Sequence, residues 1–214
     1  VAYLDGHVML MSTQKKEKPF SFEADIPVYC AAFSPTRDEF AVGVGNGIGI
    51  WNSKNGKLLH HLKKHENTVM CVAFSDDGKR LATGSEAEVN VWNLLDGKLL
   101  KTHNHHKTVV RGVAFISANR LATCSIDKGI VVIDLNTGKK TFEKKCGFPS
   151  SLAFYHKSET MFVGTFDGMV YVFDTQRQTI KLESVKSVDA GVTSVAYMGN
   201  AVGLGLGNPF VSSD

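Results

Sequence analysis

The chain has 214 residues and a formal net charge of +3, and 43% of its side chains are hydrophobic. This composition supports a sizeable core and excludes a disordered or fibrous chain. The small charge does not indicate nucleic-acid binding by itself. No apolar run approaches the roughly 20 residues that span a bilayer, so no membrane segment is predicted.

The sequence repeats itself every 41 residues. Each repeat has an apolar run that begins with valine and ends with phenylalanine: Val28 to Phe33, Val69 to Phe74, and Val110 to Phe115. A large apolar residue and then a glycine follow at the same period: Trp51 and Gly56, Trp92 and Gly97, Ile133 and Gly138. Repetition at this spacing is typical of supersecondary units that bury their faces by stacking on their neighbours.

The first predicted element is a partial unit at residues 1–26. Residues 4–11 match the turn and third strand of later units, with Met11 in the tryptophan position. Because the chain begins without Met and inside a repeat, we expect it to be a piece of a longer protein.

The unit at residues 67–107 shows the plan most clearly. Strands are predicted at 69–74, 80–85, 88–93 and 98–102, separated by turn residues such as Ser75 to Gly78 and Asp96-Gly97. Four antiparallel strands, repeated every 41 residues, predict one blade of a β-propeller.

The same plan gives the remaining boundaries. Complete blades are predicted at 27–66, 67–107, 108–147 and 148–190, and a second partial blade at 191–214. The fold class is therefore all-β, with about five blade-equivalents of four-stranded antiparallel sheet in this chain.

Several segments resemble the WD-repeat β-propellers. They are Val-Ala-Phe-Ser-Asp-Asp-Gly at 72–78, Leu-Ala-Thr-Gly-Ser at 81–85 and Val-Trp-Asn at 91–93. The resemblance covers essentially the whole chain. It implies a seven-bladed ring in the parent protein, with a closed five-bladed ring as the alternative.

WD repeats often carry a hydrogen-bonded tetrad of His, Ser or Thr, Asp and Trp. The resemblance implies this structural role for three incomplete sets: His65, Ser85 and Trp92; His106, Ser125 and Asp127; Thr165 and Asp167. No unit has all four groups, because Ile133 replaces tryptophan in one and another lacks the aspartate.

No catalytic motif stands out in the sequence. Gly-x-Ser-x-Gly, Walker, His-Glu-x-x-His and Cys-x-x-Cys patterns are all missing. Two histidine groups, His60, His61 and His65, and His103, His105 and His106, are the nearest approach to a zinc site, but no cysteine or carboxylate cluster completes a shell. We therefore predict a protein that is not an enzyme and has no metal, no cofactor and no small-molecule substrate.

The predicted partner-binding surface follows from the resemblance. WD propellers generally bind partners around the central channel, where first strands begin. The residues expected there are Tyr29, Met70, Val109, Arg111, Ile126, Phe148 and Phe166, and Ser150 and Thr193 flank the same position in the last two units. This predicts a scaffold or adaptor subunit that binds proteins or peptides in a larger complex.

Lysines provide the alternative interpretation. Those in or beside predicted fourth strands include Lys63, Lys64, Lys139, Lys140, Lys144 and Lys145. A basic rim of this kind favours an RNA-associated subunit of a ribonucleoprotein. Lysines also protect exposed strand edges without any partner.

The four cysteines indicate the compartment. Cys30 and Cys71 occupy the same position of successive apolar runs, which predicts buried thiols rather than disulfides. Free thiols favour an intracellular protein, cytoplasmic or nuclear.

Overall fold

A computed structural model of the chain describes residues 7–10, 20–23, 26–127, 129–175, 179–180, 185–186, 190–198 and 201–207. Every regular element in these ranges is a β-strand, and neighbouring strands pair antiparallel. None of these residues belongs to a helix that is long and apolar enough to cross a membrane. The chain divides into two compact units, Val1–His103 and Asn104–Asp214.

The first unit contains one two-stranded and two four-stranded sheets. β1 (His7–Leu10) pairs with β2 (Phe20–Glu23). The next sheet consists, in order, of β3 (Val28–Phe33), β4 (Glu39–Val44), β5 (Gly47–Asn52) and β6 (Leu58–Lys63). The third consists, in order, of β7 (Cys71–Phe74), β8 (Arg80–Gly84), β9 (Val89–Asn93) and β10 (Lys98–His103).

The second unit follows the same plan. Its first sheet consists, in order, of β11 (Val110–Ser117), β12 (Arg120–Ser125), β13 (Gly129–Asp134) and β14 (Lys140–Lys144). Its second contains β15 (Pro149–Tyr155), β16 (Thr160–Thr165), β17 (Met169–Asp174), β18 (Thr179–Ile180) and β19 (Val185–Lys186), the last two both pairing with β17. β20 (Gly191–Met198) pairs with β21 (Ala201–Gly207).

These sheets confirm the predicted all-β class and the four-stranded antiparallel blades. The four larger sheets fall within residues 27–66, 67–107, 108–147 and 148–190. β1 lies inside the strand expected at 4–11, and β20 and β21 are the first two strands of the last unit. Met11 and residues 208–214 of the second partial blade lie outside the described residues.

The periodic glycine is explained by a turn between the third and fourth strands. Gly56, Gly97 and Gly138 have φ angles of +68°, +68° and +72°. Because glycine has no Cβ, it adopts this left-handed conformation without steric cost. The same turn in three successive sheets therefore requires the same residue.

The core of each unit lies between its larger sheets. In the first unit, Ile48, Ile50 and Leu62 meet Phe74, Leu81 and Trp92. In the second, Cys124, Ile130 and Val132 meet Met161, Val163 and Phe173. Because packing covers both faces of the central strands, a strand such as β13 has a continuous apolar run in the sequence.

Close packing between sheets also dictates a residue choice in β11. A Cβ at Gly112 would lie 2.7 Å from the Leu152 Cβ and 3.0 Å from the Leu152 backbone nitrogen. Any larger residue would force β11 away from β15. Glycine at this position therefore sets the spacing of the two sheets.

Candidate functional site

The first strand of each repeat carries a β-bulge at a constant position. Pairing with the second strand skips one residue near the start, and the skipped residues are Tyr29, Arg111, Ser150 and Thr193. In the remaining repeat Met70 takes this place, because its N–H donates to the Gly84 carbonyl while Cys71 pairs with Gly84. Bulges redirect a side chain and are common beside binding sites.

In the first unit the bulge residues are Tyr29 and Met70. Tyr29 is exposed, whereas Met70 is half-buried. Ile26, also exposed, lies against Gly45, where a Cβ would come within 2.6 Å of the Ile26 Cδ1. This end of the unit therefore presents two exposed apolar side chains.

In the second unit, four of the predicted partner-binding residues lie at the same end of neighbouring sheets. The Arg111 guanidinium carbon is 5.7 Å from the centre of the Phe166 ring, within cation–π range. The Phe166 N–H donates to the Phe148 carbonyl at 2.9 Å. Phe148 is 58% exposed and Ile126 is 44% exposed. We call Arg111, Ile126, Phe148 and Phe166 the loop patch.

Register explains why these loops share one end. Ser125 pairs with Val110, and Thr165 pairs with Pro149. Ile126 and Phe166 each follow the second-strand residue of such a pair, so both lie beside the start of a first strand. Val109, also predicted, is half-buried in the same region.

Ser150 has a different role from the other bulge residues. Its buried hydroxyl donates to the Gly164 carbonyl at 2.9 Å and also contacts the Val192 carbonyl oxygen. The bulge thereby links β15 to β20. Ser150 is a packing residue and is not available to a partner.

A buried hydrogen-bond network centres on His65. The Trp92 Nε1–H donates to the Thr83 Oγ1 at 2.9 Å, and the same hydroxyl lies 2.7 Å from the His65 Nε2. The His65 Nδ1 lies 3.1 Å from a Glu88 carboxylate oxygen. A neutral imidazole that accepts from Thr83 and donates to Glu88 satisfies all three bonds.

Thr83 therefore has the role expected for Ser85. Glu88 supplies a carboxylate in place of the tetrad aspartate that this unit lacks. Leu81 pairs directly with Trp92, so Thr83 is the diagonal neighbour that the indole reaches. The Ser85 hydroxyl instead donates to the Thr68 carbonyl at 2.9 Å. Thr83 lies inside β8 and Ser85 only two residues further on, just past the end of that strand, which is why sequence alone did not separate them.

The next sheet contains a matching network without tryptophan. The His106 Nε2 lies 2.9 Å from the Thr123 Oγ1, and its Nδ1 lies 2.9 Å from the Asp127 Oδ1. The Lys107 N–H donates to the other Asp127 oxygen at 2.5 Å. The expected Ser125 hydroxyl lies 2.9 Å from that of Thr108, so Thr123 is again the partner of histidine.

Thr165 is the last residue of β16 and Asp167 lies in the turn before β17, and no histidine network occurs among the described residues of this sheet. The Thr165 hydroxyl donates to the Met169 carbonyl at 3.0 Å. Gly147 stands near Asp167, where a Cβ would lie 3.0 Å from a carboxylate oxygen. Val163, rather than threonine, is buried at the position that matches Thr83.

His65 and Asp127, one residue from each network, both have a lowered pKa. Burial is the largest influence on His65 and lowers its pKa, with Glu88 opposing. Burial alone would raise the pKa of Asp127, but hydrogen bonds from His106, the Lys107 N–H and Ser125 lower it overall. Both groups therefore favour the protonation states that the hydrogen bonds need.

The other histidines and the cysteines form no obvious reactive centre. Among the described residues, no three His, Cys, Asp or Glu side chains gather as a metal shell. The four cysteines are free thiols. Burial raises the pKa of Cys30 and of Cys146 to about 12, and such thiols are poor nucleophiles.

The predicted lysine rim is spread along the fourth strands. Lys140 pairs across from Ile133 and Lys144 from Ile130, so the two lie toward opposite ends of β14. Lys140 also forms an ion pair with Glu143. The remaining rim lysines, all exposed, are Lys63, Lys64, Lys139 and Lys145.

One family model matches nearly the whole chain. The family is described as the IFT140 first beta-propeller, and the match covers residues 4–202. No curated protein matches the sequence. Consistent with its four-stranded antiparallel blades, the chain belongs to the family of the IFT140 first beta-propeller.

Proposed function

We propose that this chain is a non-catalytic scaffold segment that binds protein partners through the loop patch. The observation that carries the proposal is the Arg111–Phe166 contact beside two exposed apolar side chains. Arginine and aromatic residues dominate the binding energy of protein interfaces. Membership of a propeller family named for IFT140 supports a role as a subunit of a larger protein complex.

The chemistry of Arg111 favours a partner that offers a carboxylate within an apolar segment. Its guanidinium stacks on Phe166, and it forms no ion pair with another described residue. Stacking fixes the donor fork while leaving its N–H groups free to bind an acid. Phe148 and Ile126 would bury the neighbouring apolar side chains of the partner.

The His65 and His106 networks resemble catalytic triads but support a structural role. Each places a threonine hydroxyl, an imidazole and a carboxylate in a chain. Thr83 and Thr123 are fully buried inside sheets, so no substrate reaches either hydroxyl. We therefore include the absence of enzyme activity in the proposal.

We also propose that the blades are divergent WD repeats of a seven-bladed intracellular protein. The His65–Thr83–Trp92 network supports the repeat type, and the four free thiols support a reducing compartment. A density map of the parent protein that shows five blades would overturn the ring size and leave the loop patch untouched.

Affinity purification of the parent protein tests the binding proposal. The variant combines Arg111→Glu with Phe148→Ser, and the control is Phe33→Ser, which alters another exposed aromatic residue in the other unit. We expect the loop-patch variant to lose its stoichiometric protein partners at an unchanged melting temperature. Retention of every partner would contradict the proposal.

RNA binding is a distinct outcome of the same experiment. Recovery of RNA that falls steeply with salt, and that depends on Lys144 and Lys145, would indicate the ribonucleoprotein alternative. No aromatic stacking platform accompanies these lysines in the described residues, so this alternative has no structural observation of its own.

A further inference from the structure

The first unit exposes four leucines at the end of its sheets opposite to Tyr29. Leu58 and Leu59 begin β6, Leu95 lies in the turn before β10, and Leu100 lies within β10. Leu95 is 84% exposed, Leu100 54% and Leu58 47%. We call these four residues the leucine edge.

A contact between the two sheets brings these leucines together. A Cβ at Gly97 would lie 3.4 Å from the His60 Nδ1, so the β9–β10 turn touches β6. Leu58 is two residues from His60, and Leu95 and Leu100 are two and three residues from Gly97. At about 3.3 Å per residue, each lies within about 10 Å of this contact.

The outer strands are poorly suited to pairing with another strand. Pairing of β6 with β5 skips Leu59, and pairing of β10 with β9 skips Leu100. Such bulges interrupt an edge and protect it from strand addition. In the second unit the skipped residue of β14 is the polar Thr141. The first unit therefore differs in placing leucine at the position that the bulge exposes.

The charge around the leucine edge is positive. Residues 56–64 and 95–103 contain five lysines and one acid, Asp96, which lies 3.4 Å from the Lys98 Nζ. Lys57 adjoins Leu58 and Lys101 adjoins Leu100, and neither forms an ion pair with another described residue. The leucine edge is thus flanked by two lysine side chains that have no ion-pair partner among the described residues.

We propose that the leucine edge binds an acidic amphipathic helix of a partner protein. The apolar stripe of the helix packs on the leucines, and its flanking carboxylates face Lys57 and Lys101. A nucleic acid would use the lysines and leave the leucines in water, so a protein ligand fits better. The leucine edge shares no residue with the loop patch.

Fluorescence anisotropy with the intact protein tests the proposal. The probe is a labelled synthetic helix of about 18 residues, five turns, with leucine at i, i+3, i+4 and i+7 and glutamate on both flanks. We expect saturable binding that weakens about tenfold or more for Leu95→Ser with Leu100→Ser. Lys57→Glu with Lys101→Glu is expected to weaken it comparably at low salt.

Matched controls separate the surfaces. Leu206→Ser removes a comparably exposed leucine from the second unit, and Phe148→Ser alters the loop patch. Both are expected to leave the affinity unchanged, and a helix with lysine in place of glutamate is expected not to bind. Equal binding by the lysine helix, or no effect of the leucine substitutions, would overturn the proposal. A leucine edge that instead mediates self-association in sedimentation would also overturn it.

Discussion

At the scale of single residues, one hydroxyl connects two buried aromatic rings. Thr83 accepts from the Trp92 indole and lies within hydrogen-bond distance of His65. Removing it would leave both ring nitrogens in a buried environment with fewer partners. An unsatisfied buried polar group costs more than an average hydrogen bond contributes.

Thr83→Val should therefore lower the free energy of unfolding by about 1–3 kcal/mol. Ser85→Ala, which removes a single bond to the Thr68 carbonyl, should cost about 1 kcal/mol or less. Val42 occupies the matching position of the preceding sheet, so valine is compatible with the strand. Urea denaturation compares the two variants, and a larger loss for Ser85→Ala would contradict the network.

The lowered pKa of His65 predicts how stability depends on pH. The unfolded chain binds a proton near the ordinary pKa of 6.5, whereas the native imidazole binds it only at lower pH. The stabilisation is therefore fully present above pH 6.5 and is lost as pH falls below this value and through the lower pKa of the native state.

Denaturation midpoints between pH 7.5 and about 5 measure this effect. We expect the denaturation midpoint of His65→Gln to decline less steeply with falling pH than that of the unsubstituted chain. His61→Gln is the comparison: burial and Lys63 lower the pKa of that histidine too, but its side chain is exposed, so its substitution should flatten the decline less than His65→Gln. If the midpoint of His65→Gln declines as steeply as that of the unsubstituted chain, another group controls the pH dependence of stability.

At the scale of elements, the spacing between neighbouring sheets depends on small residues. Gly112 lets β11 approach Leu152 of β15. Gly49 leaves room for the Trp51 ring in the same way within one sheet. The Gly112 contact lets β11 and β15 pack closely, and overpacking it is destabilising.

Gly112→Ala should lower the free energy of unfolding by about 1–3 kcal/mol because Leu152 and the strand that carries it must move. Ser117→Ala, at the exposed end of the same strand, should change it by less than about 0.5 kcal/mol. Thermal or urea unfolding measures both. An unchanged midpoint for Gly112→Ala would mean that the two sheets are looser than described.

Most of the strands and turns were predictable from the sequence, and the features that were not predicted have local causes. The 41-residue period predicted the four-stranded sheets, and the periodic glycines predicted their turns. Thr83 was missed because Ser85, two residues away and just past the end of β8, is the same kind of hydroxyl residue at nearly the same place. The bulges at Tyr29 and Arg111 were invisible because pairing register, not composition, creates them.

At the scale of the whole molecule, one part of each repeat stabilises the fold and another part carries the proposed binding residues. Stacked sheets bury the apolar runs and the histidine networks. Residues that differ from one repeat to the next lie at the bulges and turns. The loop patch and the leucine edge both lie at such positions. A scaffold built this way can change partners by substitution at sheet ends without disturbing its core.

We propose that the loop patch contacts a protein in the assembled complex. Photo-crosslinking tests it most directly, with a photoreactive residue at position 148 in the parent protein and at position 117 as an exposed control in the same unit. We expect a discrete protein adduct at position 148 that is lost in Arg111→Glu, and no adduct at position 117. Adducts to RNA, or equal labelling at both positions, would contradict it.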